Sequence, residues 1–423
     1  MLSEQSRPII EATLPLVGER IPFITPVFYR TLFEAHPELL DGIFSRANLN
    51  NGEQAQALAG SVAVFAAHLL ANPNALPERT LARIAHRHTS LGVTREQYDV
   101  VYQYLFAAIA QDLGDAVTPE VAAAWSEVYW LMADTLIAME EQLYAAQAND
   151  KVWTPWRVAR KVRSSPNAFS FILEPADDTP VTPGEPGHYI SVKVPVSGGI
   201  TQARQYSLNS PSATHRTFTA ALDQAGEVSP VLHSSIEEGD VIEVSNPYGT
   251  RTLAESDAPL VFLSAGMGQT PFASMLNGLA GEGSTRRVVV HHTQRELQDW
   301  ALGQQMVFDV ERLQNAELHL WLTGAEDPEA LPLIPGVTVH AGRPVFSEIE
   351  LPEGAELHLC GPLAFMKAMR RRALRSGVAP QRLHYEVFGP DSWLGEREGM
   401  TEADHHHYAA HQGTARRAAR AQA

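Results

Sequence analysis

VFLSAGMGQTPFASML, residues 261–276, joins a continuous apolar run directly to a glycine-rich turn and then to a segment with helical spacing. A buried strand that leads through glycines into a helix is typical of nucleotide-binding α/β units, because glycine lets the backbone approach a pyrophosphate at the helix N-terminus. The turn departs from the common pattern at its third glycine, where Pro271 stands. The stretch therefore predicts a parallel sheet that binds a nucleotide beyond the carboxyl ends of its strands.

The chain downstream of this stretch keeps alternating between strands and helices. RRVVVHHT (286–293) and AELHLWLTG (316–324) are apolar strands, and AELHLCGP (355–362) is followed by another helix. Such alternation indicates a parallel α/β sheet, in which the last turn forms a second crevice. Its Cys360 could equally be a small buried residue. The candidate nucleotide contacts at the two strand ends are Gly266, Met267, Gly268, Gln269, Thr270, Pro271, Cys360, Gly361 and Pro362.

The segment upstream has a different character. Short runs rich in Val and Ile, such as GHYISVKVPV (187–196) and DVIEVSNPYG (240–249), are separated by Pro and Gly. Several short strands at this spacing favour an antiparallel barrel. Within RQYSLNSP, Arg204 and Tyr206 share one strand face, so an arginine suited to a pyrophosphate lies beside a ring that can stack on a flavin. The competing interpretation is a polar edge strand.

Residues 1–148 have helical periodicity throughout, for example in EQAQALAGSVAVFAAHLL (53–70) and YDVVYQYLFAAIAQDL (98–113). Thr94 precedes the second of these segments, with Gln97 three residues later, which predicts a capping box at the start of that helix.

RIAHRHTSLGV (83–93) places two histidines on different faces of one predicted helix. His88 falls on the apolar stripe of Leu81, Ile84 and Ala85, whereas His86 lies about 140° away from Leu81. We therefore expect His88 to point into the interior and His86 into solvent. An inward histidine is either a hydrogen-bonded core residue or a ligand, and the spacing alone leaves both open.

Glu140 is an anomaly of the last helix, because it lies on an apolar stripe with Tyr129, Met132, Leu136 and Leu143. A carboxylate on such a face is costly unless it is hydrogen-bonded. It either has a buried partner or curls out to water at the helix end.

Taken in order, RQYSL, GMGQTP, LCGP and HYEVFGP resemble the ferredoxin-reductase-type flavoproteins, and a helical domain in front of that module resembles the flavohemoglobins. The resemblance covers residues 1–390. It implies a multidomain chain: an all-α globin domain at 1–148 with haem b, an antiparallel β-barrel FAD domain at 149–255, and an α/β parallel-sheet NAD(P) domain at 256–390. We expect the tail, 391–423, to be disordered and its His405–His407 run to bind no metal.

The resemblance also assigns roles to residues. RHTS makes His88 the haem ligand, with Tyr98 and Glu140 hydrogen-bonded behind it and Arg87 before it. On the other haem face it implies Tyr29, Phe44, Gln54 and Leu58, whereas Phe28 is expected in ordinary core packing. The implied flavin contacts are Tyr189, Arg204, Gln205, Tyr206, Ser207, Gly226, Glu227, Val228, Ser229, Glu386, Val387, Phe388, Gly389 and Pro390.

The activity that the resemblance implies is nitric oxide dioxygenase, the NAD(P)H-driven conversion of nitric oxide and dioxygen to nitrate through FAD and haem. The alternatives are a haem-based sensor of dioxygen or nitric oxide with a resetting reductase, and a general NAD(P)H reductase with a vestigial globin. For the nucleotide, Arg295 would hold a 2′-phosphate and Glu296 a hydroxyl. We favour Arg295, so both NADH and NADPH should be used, although both side chains could also be merely solvated.

Composition bounds the remaining possibilities. A formal net charge of −17 excludes nucleic-acid binding through an overall positive charge of the protein. No apolar run approaches the length of a membrane span. A single cysteine and the absence of a leader-like start favour a reducing, cytoplasmic setting, and we expect a monomer.

Overall fold

The computed structural model describes residues 1–44, 53–250, 253, 256–325 and 327–388, with the backbone alone at 53–57 and 59. The chain begins with helices, namely α1 (Ser6–Ala35), α2 (Glu53–Ala71), α3 (Glu78–Leu91), α4 (Arg95–Leu113) and α5 (Pro119–Ala145). Their apolar stripes meet in one core, in which Phe28, Leu32 and Val128 are completely buried. The helical prediction for this part of the chain is confirmed.

The helix ends follow local sequence signals. The predicted capping box is present: the Thr94 amide donates to Gln97 Oε1 at 3.1 Å, and the Thr94 side chain accepts from the Gln97 amide. α3 ends at Gly92, whose φ of +79° is the left-handed conformation that glycine adopts without steric cost. A Cβ on this glycine would also lie 2.7 Å from Val152, so the glycine lets α3 approach the chain that leads into the next region.

An antiparallel six-stranded sheet follows, in the order β4-β3-β6-β1-β2-β5. Its elements are β1 (Trp153–Ser165), β2 (Ala168–Pro175), β3 (Tyr189–Pro195), β4 (Thr201–Ser207), β5 (Arg216–Ala221), the short helix α6 (Val228–Ser234) and β6 (Val241–Ser245). An isolated bridge between Leu208 and Phe218 joins the two edges, so the sheet curls into a barrel. Phe171 and Phe218 stack in its core, with centroids 4.9 Å apart.

The last region is a parallel sheet with strand order β10-β9-β8-β7-β11-β12. Its elements are β7 (Leu260–Ala265), α7 (Gln269–Glu282), β8 (Val288–Gln294), α8 (Gly303–Glu311), β9 (Ala316–Leu322), β10 (Val337–Ala341), β11 (Glu356–Cys360), α9 (Leu363–Arg375) and β12 (Leu383–Glu386). The strand order reverses between β7 and β11, the place where open α/β sheets bind ligands. The predicted order of an all-α, a barrel and an α/β region is confirmed.

The described residues include no helix with the length and apolar character that a membrane crossing requires. Gly389, Pro390 and the tail lie outside the described residues, as does the side chain of Gln54.

Candidate functional site

The central feature is a group of three polar side chains from three helices, in which Tyr98 and Glu140 are buried and His88 is half-buried. His88 Nδ1 lies 2.9 Å from both Tyr98 Oη and Glu140 Oε1, and the Tyr98 hydroxyl donates to the same carboxylate oxygen at 2.6 Å. Because a carboxylate only accepts, it places the ring proton of His88 on Nδ1. The lone pair on Nε2 is then left for a metal in the cavity that His88 lines.

Local backbone structure fixes this group. The C-terminal turn of α3 is closed by the Val93 amide, which donates to the His88 carbonyl, and the Tyr129 hydroxyl donates to the Tyr98 carbonyl at 2.7 Å. Glu140 is only 3% exposed and contacts both His88 and Tyr98, so of the two alternatives that the sequence left open the structure has the buried, hydrogen-bonded carboxylate. Burial and the neighbouring carboxylate raise the pKa of Tyr98, which keeps its hydroxyl protonated as a donor.

The opposite side of the same cavity is aromatic. Tyr29, Phe44 and Leu58 all line it, and the Tyr29 ring stacks on Phe33 with centroids 5.6 Å apart. Burial raises the pKa of Tyr29, so its hydroxyl remains a donor. Phe28 is completely buried and is absent from the lining, in keeping with core packing. Phe33 does not line the cavity but packs against both Tyr29 and Phe44, a supporting role that the sequence did not reveal because one more apolar residue on a helix face carries no distinguishing signal.

A continuous cavity of about 650 Å³ connects this helical pocket to the barrel and to the α/β region. Its walls include Tyr29 and His88 from the helices, Arg204 and Tyr206 from the barrel, and Thr270 from the α/β region. Three parts of the chain that were predicted to hold different groups therefore share one internal space.

The barrel wall carries the polar residues of β4. Arg204 donates through Nη1 to the Ala203 carbonyl at 2.7 Å, whereas its buried Nη2 has no hydrogen-bond partner among the described residues. Burial lowers the pKa of this guanidinium, because the charged form is poorly solvated there. A bound anion would stabilise the charge and accept the hydrogen bond that Nη2 can donate. Gln205, Tyr206 and Ser207 line the cavity beside it, as do Gly226, Glu227, Val228 and Ser229.

In the α/β region, the two predicted turns pack against each other. A Cβ on Gly268 would lie 2.2 Å from the Cys360 carbonyl oxygen, so only glycine permits this approach. Gly361, with a φ of +148°, similarly crowds Ala265. Met267 and Thr270 line the cavity, whereas the Gln269 side chain is buried and holds the turn by accepting from the Leu302 amide.

The remaining residues of these turns are buried or flank the helix. Pro271 is buried in α7, and Pro362 precedes α9. Cys360 is completely buried, and burial raises the pKa of its thiol. Both observations agree with the interpretation of Cys360 as a small packed residue.

The end of β12 closes the cavity between the helices and the barrel. Glu386, Val387 and Phe388 line it, and the guanidinium of Arg83 lies 4.8 Å from the ring centroid of Tyr385. Burial and the nearby Glu386 raise the pKa of Tyr189, and burial lowers the pKa of Arg87. The α3 helix thus contacts both other regions around its histidine.

The expectation that His86 points into solvent is wrong. Its Nδ1 accepts a hydrogen bond from the Gly249 amide at 3.0 Å, and its ring lies beside Tyr248 of the barrel region. Burial lowers the pKa of His86 to about 4. The periodicity of one helix shows which face packs on its own core, but it cannot show that a second domain covers the other face.

Arg295 and Glu296 follow β8 and are both exposed. Glu296 accepts a hydrogen bond from the Gln298 amide at 2.7 Å.

Residues 27–136 match the globin family model. The chain is 38% identical over 406 residues to a flavohemoprotein of Chromobacterium violaceum, covering 92% of this chain and 98% of the relative. The structure is similar to a flavohemoglobin from Malassezia yamatoensis with bound FAD and heme, at 41% identity and a TM-score of 0.86, covering 92% and 100% of the two chains.

A second solved structure matches a smaller part of the chain. It is the FAD/NAD-binding domain of a nitric oxide dioxygenase from Vibrio cholerae, at 28% identity and a TM-score of 0.50, covering 56% of this chain and 99% of that one. Because the match to whole-length relatives extends over nearly all of both chains, this chain belongs to the flavohemoprotein family.

Proposed function

We propose that this protein is a nitric oxide dioxygenase, in which nitric oxide, dioxygen and one electron from NAD(P)H combine to give nitrate. The observation that carries the proposal is the single cavity that joins the His88 group to the Arg204 strand. Support also comes from two relatives, one solved with FAD and heme and one named as a nitric oxide dioxygenase.

The helical end of the cavity fits haem b. His88 offers one ring nitrogen to iron, and Glu140 and Tyr98 hold the other. A carboxylate behind the ligand makes the imidazole more electron-donating, which favours cleavage of the dioxygen bond over simple carriage. When bound, haem supplies the iron chemistry, and FAD relays to it the electrons of NAD(P)H.

The aromatic side positions the small substrates. Tyr29 is a protonated donor that can hydrogen-bond dioxygen, and Phe44 and Leu58 narrow the apolar space around it. A donor in a dry pocket is stronger than the same donor in water. The chain thus holds dioxygen in place while nitric oxide enters.

The barrel end fits FAD. Arg204 supplies an unsatisfied buried donor for the pyrophosphate, Tyr206 presents its ring to the cavity, and the turn from Gly226 to Ser229 lies alongside. Glu386, Val387 and Phe388 line the same cavity and would contact the flavin from the side opposite the barrel. The Gly266–Thr270 turn, across the switch point, receives the nicotinamide nucleotide.

The alternatives differ in what they require of the helical region. A plain flavin reductase with a vestigial globin has no use for a carboxylate that is 3% exposed and bonded to both Tyr98 and His88. A sensor would retain the same group but would not turn over.

The experiment that tests the proposal begins with an anaerobic spectrum of the protein mixed with NAD(P)H. We expect bleaching of a flavin band and conversion of the haem bands to the ferrous form. Addition of air and nitric oxide should then produce nitrate over many cycles. A single turnover would support the sensor, and a reduced flavin without reduced haem would support the plain reductase.

A further inference from the structure

A buried pair of hydroxyl groups links the α3 helix to the barrel. The Ser191 hydroxyl on β3 donates to the Ser90 hydroxyl on α3, with the two oxygens 3.0 Å apart. Both serines are completely buried. A direct bond between two buried side chains of different domains is uncommon, because most side-chain hydrogen bonds go to backbone or water.

Each serine is tied to a different predicted cofactor site. Ser90 lies two residues after His88 on the same helix, and its hydroxyl donates to the Arg87 carbonyl at 2.8 Å. Ser191 is paired across the barrel with Gln205, whose amide nitrogen lies 3.3 Å from the Ser191 hydroxyl. The pair therefore connects the backbone that carries the iron ligand to the strand that faces the flavin.

Two other hydrogen bonds between the helical region and the barrel join different elements. Thr201 bonds to Asp41 in the segment after α1, and Gly249 bonds to His86 from a loop after β6. Neither joins the α3 backbone to β4 or its cross-strand neighbour. The serine pair is thus placed where a small displacement would change the separation of the two sites.

We propose that Ser191 and Ser90 are positioning residues that set the distance between flavin and haem, and thereby the rate of electron transfer between them. The inference rests on the proposed function. In this step reduced FAD is oxidised by one electron, ferric haem becomes ferrous, and any proton released by the flavin goes to solvent. No bond in the chain forms or breaks. Transfer rates fall steeply with distance, so even a small loosening would be measurable.

The test is a double-mutant cycle with Ser191→Ala, Ser90→Ala and the double variant. Ser191→Ala leaves Ser90 its bond to the Arg87 carbonyl but also removes the acceptor of the Gln205 amide, whereas Ser90→Ala leaves the bond between Gln205 and Ser191 in place, so both single variants are needed. In anaerobic stopped-flow, we expect flavin-to-haem transfer to slow by up to about tenfold, because losing one net hydrogen bond weakens the close arrangement relative to looser ones by about two- to tenfold. Flavin reduction by NAD(P)H and dioxygen release should stay unchanged. The double variant should be no slower than the slower single variant.

Thr201→Val is the matched control, because it removes a hydroxyl bond to Asp41 at another point of the interface. It should leave the transfer rate as in the wild type. A readout independent of turnover is hydrogen exchange: Ser191→Ala should speed exchange at the β3 and α3 amides, and Thr201→Val should not. Flavin fluorescence in the resting protein should also rise in Ser191→Ala if the flavin moves away from the haem.

An unchanged transfer rate in Ser191→Ala, multiplicative effects in the double variant, or equal slowing by Thr201→Val would overturn the proposal. Failure of the proposed function has a different signature. A wild-type protein that reduces its haem but makes no nitrate would refute the dioxygenase and leave the serine pair to be judged by the transfer rates and by hydrogen exchange.

Discussion

The two ends of the cavity are built differently. At the helical end, His88, Tyr98 and Glu140 are held by mutual hydrogen bonds between three helices, and the carboxylate is almost fully buried. At the nucleotide end, the wall is made of glycine turns, and the candidate ribose contacts Arg295 and Glu296 are exposed. Buried polar groups are worth more and are costlier to disturb than exposed ones. Substitutions at the haem end should therefore impair the protein most, and those at the nucleotide end least.

The largest effect is expected for His88→Ala. It removes the imidazole that offers Nε2 to the cavity, so the purified protein should carry FAD but little haem. The visible spectrum and a haem assay measure this directly. His86→Ala is the control on the same helix, because His86 also lines the cavity but its Nδ1 bonds to the Gly249 amide and not to Tyr98 or Glu140. Loss of haem in His86→Ala with retention in His88→Ala would reverse the assignment of the two faces.

Arg204→Ala tests the middle of the cavity. It removes a guanidinium whose buried Nη2 has no partner in the part of the protein that the structure describes, so FAD occupancy should fall while haem content stays at the wild-type level. Flavin released on denaturation gives the occupancy. Full flavin retention would mean that the pyrophosphate is held elsewhere.

Tyr29→Phe tests the aromatic side of the haem end. Loss of one hydrogen bond to bound dioxygen should speed its release by about tenfold or more, since such a bond is worth roughly 1.5–3 kcal/mol. Flash photolysis or ligand displacement measures the rate. Phe28→Leu is a suitable control, because Phe28 touches Tyr29 but does not line the cavity. An off-rate equal to that of the wild type would remove Tyr29 from contact with dioxygen.

The smallest effect is expected for Arg295→Ala. An exposed guanidinium makes a weak, salt-screened contact with a 2′-phosphate, so KM for NADPH should rise by a few-fold, about the factor of an exposed ion pair. KM for NADH should barely move. Steady-state kinetics at low salt give both constants, with Glu296→Gln as the neighbouring control. Equal changes for both nucleotides would show that the 2′ position is recognised by other residues.

The sequence allowed the fold to be predicted wherever a signal was local. Three local signals correspond to features of the structure. They are the capping box that starts α4 at Thr94, the strand–turn–helix at 261–276 and the carboxylate of Glu140 on an apolar face. These signals work because they report on one element and the side of it that is buried. The hydrogen bond between Glu140 and His88, however, was taken from resemblance, since periodicity does not say which helices meet.

Contacts between domains were the part that could not be predicted. His86 was assigned to solvent, and the Ser90–Ser191 bond was not anticipated. The second face of a helix such as α3 is polar whether it is exposed to water or covered by another domain. Serines and histidines serve equally well in water and in a hydrogen-bonded interface, so residue type gives no warning.

The most direct test of the account is the fate of labelled dioxygen. Protein loaded with haem and FAD is supplied with NADH, nitric oxide and oxygen-18 gas, and the nitrate formed is analysed by mass spectrometry. The account predicts nitrate that carries two oxygen-18 atoms, formed over many turnovers by the wild type and lost in His88→Ala. Nitrate without both labels, or equal formation by His88→Ala, would contradict it.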